Sequence, residues 1–104
     1  MGEPKLSDEL LLGQLVYSKA GRDKGKAFLV TSIADDSFVY LVDGEMRRLE
    51  KPKRKNVKHL HNTGIIAESI AHKLAKGETI SNSEIKLTIA LLIGEKADSV
   101  MQGG

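Results

Sequence analysis

The sequence predicts a mainly β fold with C-terminal α structure: a small SH3-like barrel over residues 1–62, followed by a two-helix hairpin extension over residues 63–104 packed on the barrel. Three observations predict it. Residues 15–60 carry short runs rich in β-branched, aromatic and aliphatic residues, separated by turn formers. After Asn62-Thr63-Gly64 the apolar period changes from 2 to about 3.6. A chain of 104 residues is also one domain's worth, too short for separate cofactor and substrate domains.

The strand-type runs are Leu15-Val16-Tyr17-Ser18, Ala27 to Ile33, Phe38 to Val42 and Met46 to Leu49. Gly21 to Gly25 divides the first pair and Asp35-Asp36 the second. Asp43-Gly44 reads as a two-residue hairpin turn with positive φ at both positions. Strands this short, with no crossover helix between them, make an antiparallel meander that must curl to bury its few large side chains. The expected core is Val16, Phe28, Val30, Ile33, Val39, Leu41 and Leu49. A fifth strand near Arg54 to His59 alternates poorly, because Val57 and Leu60 are three apart, so an irregular end is expected there.

In the C-terminal part, Ile66, Ile70 and Leu74 recur every four residues beside Ala67, Ala71 and Ala75, and Gly77 ends that helix. Ser81-Asn82-Ser83-Glu84 reads as a capping box opening a second helix, with Ile80 and Ile85 placed for a hydrophobic staple. Ile85, Ile89, Leu92 and Ile93 form its apolar stripe, which Leu87 and Leu91 widen. The hairpin is expected to cover itself and the barrel in a monomer, with dimerisation as the alternative, and the tail Met101-Gln102-Gly103-Gly104 to fray.

Composition excludes several chemistries. Without cysteine there are no disulfides, thiolate zinc sites or cysteine nucleophiles. The longest apolar runs, Ile89 to Ile93 among them, fall far short of the roughly 20 residues a bilayer requires. The opening Gly2-Glu3-Pro4-Lys5 is no secretory leader, and Leu6 stands where myristoylation needs Ser or Thr, so a cytoplasmic location off the membrane is expected.

The net charge of +2 hides a segregation. Residues 13–62 hold 11 Lys/Arg against 6 Asp/Glu, whereas the rest of the chain is net acidic. The basic charge peaks where Arg47, Arg48, Lys51, Lys53, Arg54, Lys55 and Lys58 face only Glu50. Like charges held this close repel, and an anion in their midst relieves the repulsion, so the density points to a polyanion; lysines guarding a sheet edge are the plainer reading. Gly21-Arg22-Asp23-Lys24-Gly25-Lys26 adds a glycine-containing basic loop between two strands, where uncovered backbone N–H groups would approach a phosphodiester closely. No helix follows it, so it is not a nucleotide-hydrolysing phosphate loop.

Two blocks then resemble the KOW family of RNA-binding domains, within it the branch similar to large-subunit ribosomal protein fourteen of the archaeal–eukaryotic type. The first runs from Leu12 to Lys26; the second comprises Asp43-Gly44, Arg47-Arg48, Lys51-Pro52-Lys53-Arg54-Lys55 and Asn56-Val57-Lys58-His59-Leu60. Together they span about half the chain. Generic members often carry a second glycine three places after the first, where Phe28 stands here, a departure shared with the ribosomal-protein-like branch. The resemblance implies a KOW barrel that binds structured RNA, expected to be ribosomal RNA, with ribosomal proteins as further partners in translation. The expected RNA-binding residues are Lys19, Gly21, Arg22, Lys24, Gly25, Lys26, Arg47, Arg48, Lys51, Lys53, Arg54, Lys55, Lys58 and His59.

The four aromatics, Tyr17, Phe28, Phe38 and Tyr40, are expected mostly inside the barrel, leaving recognition to backbone and shape. His59 and His61 would share a strand face, but a metal site needs further ligands that only His72 or Glu68 could bring, so no metal is expected. Asp35-Asp36 reads as a turn rather than a catalytic pair, and Ser18 and Ser32 have no context of an activated nucleophile. The chain is expected to be no enzyme and to need no cofactor. The competing readings are a protein-interaction module docking on ribosome or transcription machinery through the barrel or the helices, and a DNA-binding barrel.

Overall fold

The computed structural model describes residues 10–102. The residues behind the leader and acylation expectations, and Gly103-Gly104, lie outside the described residues. Five antiparallel strands, β1 (Gln14–Ser18), β2 (Ala27–Ile33), β3 (Phe38–Val42), β4 (Lys53–Asn56) and β5 (Leu60–Ile66), form one sheet in the order β4-β3-β2-β1-β5. Helices α1 (Glu68–Lys76) and α2 (Asn82–Gln102) follow. The chain passes from one sheet edge to the other through a single 3₁₀ turn, Val57–His59. With its two edge strands joined this tightly, the sheet curls into a small barrel-like domain.

The central strands are buried on both faces, which is why their apolar residues are contiguous rather than alternating. On the concave face Val16, Phe28, Val30, Val39, Leu41 and Leu60 pack together. On the other, Leu15, Leu29 and Val42 meet Ala67, Ile70, Ile85 and Ile89 of the helical segment. Of the expected core, Leu49 is half-buried against the helix-side cluster, and Ile33, at the end of β2, is 46% exposed.

Two glycines let the helices approach. A methyl group on Gly13 would lie 2.7 Å from the Ala71 Cβ, and one on Gly44 would collide with the Asn82 carbonyl oxygen. Gly77, with φ +72°, ends α1 in the left-handed region: its N–H donates to Leu74 O, and that of Glu78 to Lys73 O. Ser81 Oγ accepts from the Glu84 N–H at 3.0 Å, the expected cap of α2, while the Glu84 carboxylate takes Lys73 Nζ at 2.6 Å and ties the two helices. Ile85 and Ile89 are buried and Leu92 half-buried; Leu87, Leu91 and Ile93 face outward.

The sequence reading of the elements needs correction at several points. Met46–Leu49 is an irregular connection, not a strand, because Asp43 Oδ1 accepts from the Glu45 and Arg47 N–H groups and turns the chain locally. Only Gly44 has positive φ there. The fourth strand is the basic Lys53–Asn56, the expected irregular end is the 3₁₀ turn, and the fifth strand continues through Asn62-Thr63-Gly64, so Ile66 is strand and α1 starts at Glu68. Met101 and Gln102, assigned to the tail, are helical. Among the described residues no helix is long and apolar enough to cross a membrane.

Candidate nucleic-acid interface

The loop between β1 and β2 is a closed turn that uses its own backbone donors. Lys24, Gly25 and Lys26 N–H donate to Gly21 O, Ser18 O and Asp23 O, and Gly21 and Gly25 adopt φ of +80° and +87° to make the bend. These amides are therefore spent inside the loop, contrary to the expectation of uncovered N–H groups. What the loop offers is side chains: Arg22, Lys24 and Lys26 are all exposed.

The structure brings this loop against the distant basic stretch. Arg47 Nη2 lies 3.8 Å from Asp23 Oδ2, and Lys26 Nζ lies 3.5 Å from the Met46 sulfur. Lys55 Nζ donates to Ala20 O at 3.1 Å, and Lys19 N–H donates to His59 O at 2.7 Å. Residues 19–26 thus touch the start, middle and end of the stretch from Met46 to His59.

Within that stretch, strand pairing divides the cations. Lys53 and Lys55 stand opposite Leu41 and Val39 and share the concave side with them; Arg54 stands opposite Tyr40 and leaves on the other side. There the Arg54 guanidinium sits over the Phe38 ring, 3.8 Å from its centroid. Met46, Arg47, Arg48, Glu50, Lys51, Pro52, Lys53 and Arg54 line one open hollow at this edge. A second hollow is lined by Lys19, Lys58, His61 and Asn62 beside Leu10, Val57 and Leu60. His59 belongs to the 3₁₀ turn and His61 to β5, so the two do not share a strand face.

Arg48 Nε pairs with Glu50 Oε2 at 3.2 Å. Hydrogen bonds from the Asn82 side chain, its own backbone amide and Arg48 hold the Glu50 carboxyl below its ordinary pKa. Arg47 and Arg48 are therefore partly neutralised. Among the described residues Lys19, Arg22, Lys24, Lys26, Lys51, Lys53, Arg54, Lys55 and Lys58 have no carboxylate within ion-pair distance. Cations brought together without internal counter-charges form a positive surface whose natural complement is an anionic polymer.

Phe38, Asp23 and Met46 belong to this candidate surface by their contacts with Arg54, Arg47 and Lys26, and the sequence-based set of site residues omitted them. The signal for Phe38 lay in the alternation of β3: burying Val39 and Leu41 on one face turns Phe38 and Tyr40 to the other. Of the four aromatics only Phe28 is fully buried, and Tyr17, Phe38 and Tyr40 are half-buried, which corrects the expectation that most lie inside. No family model matches the chain, and no curated protein matches it.

Proposed function

We propose that this chain is a non-enzymatic RNA-binding protein of the KOW kind, cytoplasmic and monomeric, that grips structured RNA, in the first place ribosomal RNA, through the surface joining the β1–β2 loop to the Met46–His59 stretch. The observation that carries the reading is that two basic segments far apart in sequence meet at Asp23–Arg47, Ala20–Lys55 and Lys19–His59, with most of their cations lacking a carboxylate partner among the described residues. Arginine forks and lysine point charges bind phosphates without reading bases, which suits folded RNA.

Titration of a structured ribosomal RNA fragment over a salt series tests it. If about 4–6 phosphates are neutralised, log affinity falls against log salt with a slope on the order of −3 to −5. Reversing Arg22 and Arg54 to Glu weakens binding and flattens the slope, while Glu84→Gln on α2 does neither. A slope near zero, or full affinity in the double reversal, sinks the proposal, and equal affinity for duplex DNA of the same length moves it to DNA. Leu87 and Leu91, exposed four residues apart on α2, support a second reading as a docking module for a protein of the translation or transcription machinery.

A further inference from the structure

The cation at Arg54 differs from the others on this surface. It is exposed, it has no carboxylate partner among the described residues, and one side of its guanidinium is covered by Phe38 at 3.8 Å. Arg54 belongs to the edge strand β4, and Phe38 lies diagonally across on β3, where a long side chain reaches an aromatic neighbour. The ring restrains the guanidinium, removing rotamer freedom that a lysine would keep, and because the residue as a whole is exposed, the face away from the ring is the one a ligand would meet. Arg54 also lines the hollow shared with Arg47, Arg48, Lys51 and Lys53. A flat, polarisable cation backed by an aromatic ring and bordered by phosphate-binding side chains has the features of a stacking site for a nucleobase.

We propose that the Phe38–Arg54 pair is a stacking platform for one unpaired base, so that the RNA this protein selects is a helix carrying a bulged or looped-out nucleotide beside the phosphates held in the hollow. The base lies on the open side of the guanidinium, giving the order Phe38, Arg54, base. A perfect duplex keeps its bases stacked on one another and has none to offer. This rests on the RNA-binding reading above and deepens it, from backbone contacts alone to backbone contacts plus one extruded base.

The test uses the full chain and three RNA hairpins of one sequence: fully paired, with a single bulged adenosine, and with an abasic nucleotide at the bulge. The abasic form keeps the bend and the extra phosphate but removes the base. The expected result is binding of the bulged hairpin about 5- to 100-fold tighter than the abasic one. Arg54→Lys keeps the charge, so the salt slope stays and the preference disappears. Phe38→Leu, with circular dichroism confirming the fold, reduces the preference as well. Equal affinity for bulged and abasic hairpins, with a steep salt slope, overturns the platform and leaves the RNA-binding reading standing. A preference that survives Arg54→Lys overturns the role of Arg54. Absence of binding to all three overturns both readings.

Discussion

Gly44 sits where a side chain has no place. Its φ of +83° strains any L-residue, and an added methyl group would also meet the Asn82 carbonyl and the Lys86 amide at the start of α2. Gly25 has a similar φ of +87° but nothing within 4 Å of the added atom. The pair separates backbone strain from steric exclusion. Gly25→Ala is expected to cost about 1–2 kcal/mol; Gly44→Ala is expected to cost more, on the order of 3 kcal/mol, because strain and helix displacement add. Denaturant midpoints of the two variants check this, and equal losses would show that α2 gives way freely at Gly44. At this scale the sequence was partly legible. Asp43-Gly44 announced a turn, yet the Asp43 carboxylate caps the Glu45 and Arg47 amides rather than adopting positive φ itself, a choice that side-chain hydrogen bonding makes and dipeptide preference does not reveal.

Among the elements, α2 had the clearest beginning in the sequence, since a cap, a staple and an apolar stripe all agree on it. Removing the Ser81 hydroxyl frees the Glu84 N–H at the start of the helix, so Ser81→Ala is expected to cost about 1 kcal/mol and lower the melting temperature by about 4–8 °C, with RNA affinity unchanged. Calorimetry and an RNA titration on the same variant check the two halves; a large loss of affinity with the fold intact would bring α2 into the RNA surface. β1, β2 and β3 were legible for a similar reason, each being an apolar run between turn residues. β4 was legible only roughly, as the strand expected near Arg54 to His59, and β5 only as an irregular end. Lys53–Asn56 has no apolar residue to mark its bounds, because an edge strand next to a basic hollow needs only backbone pairing and long charged side chains. Met46–Leu49 looked more like a strand, but the register that would have used it is pre-empted by the Asp43 turn.

At the scale of the molecule, the helices complete the sheet rather than decorate it. Leu15, Leu29 and Val42 are 1% exposed or less, and α1 and α2 supply the apolar groups that cover them. Each such side chain is worth about 1.5–3 kcal/mol when buried, so uncovering three of them takes a large share of the 5–15 kcal/mol that holds a typical small domain. A chain ending at Ala67 is therefore expected to lose its cooperative thermal transition; a truncated protein that melts as sharply as the full chain would show the barrel to be self-sufficient. The candidate interface was legible as charge, since density needs no coordinates. Its shape was not, because the meeting of residues 19–26 with 46–59 depends on how the sheet curls, and the separation of Arg54 from Lys53 and Lys55 depends on strand register.

The sheet order also has a consequence in time. β1 lies between β2, its neighbour in the chain, and β5, which follows it by most of the barrel sequence. The β1–β4 meander can zip through short hairpin closures, but the β1–β5 ladder must await a long loop closure, and the cover over Leu15, Leu29 and Val42 comes later still. During synthesis, the meander leaves the ribosome with β1 as a second unpaired edge besides β4, and with one apolar face bare until α2 has emerged. The nascent chain is therefore expected to pass through a stage that invites aggregation or chaperone binding, with the Lys53–Lys55 cations of the β4 edge opposing edge-to-edge association on that side.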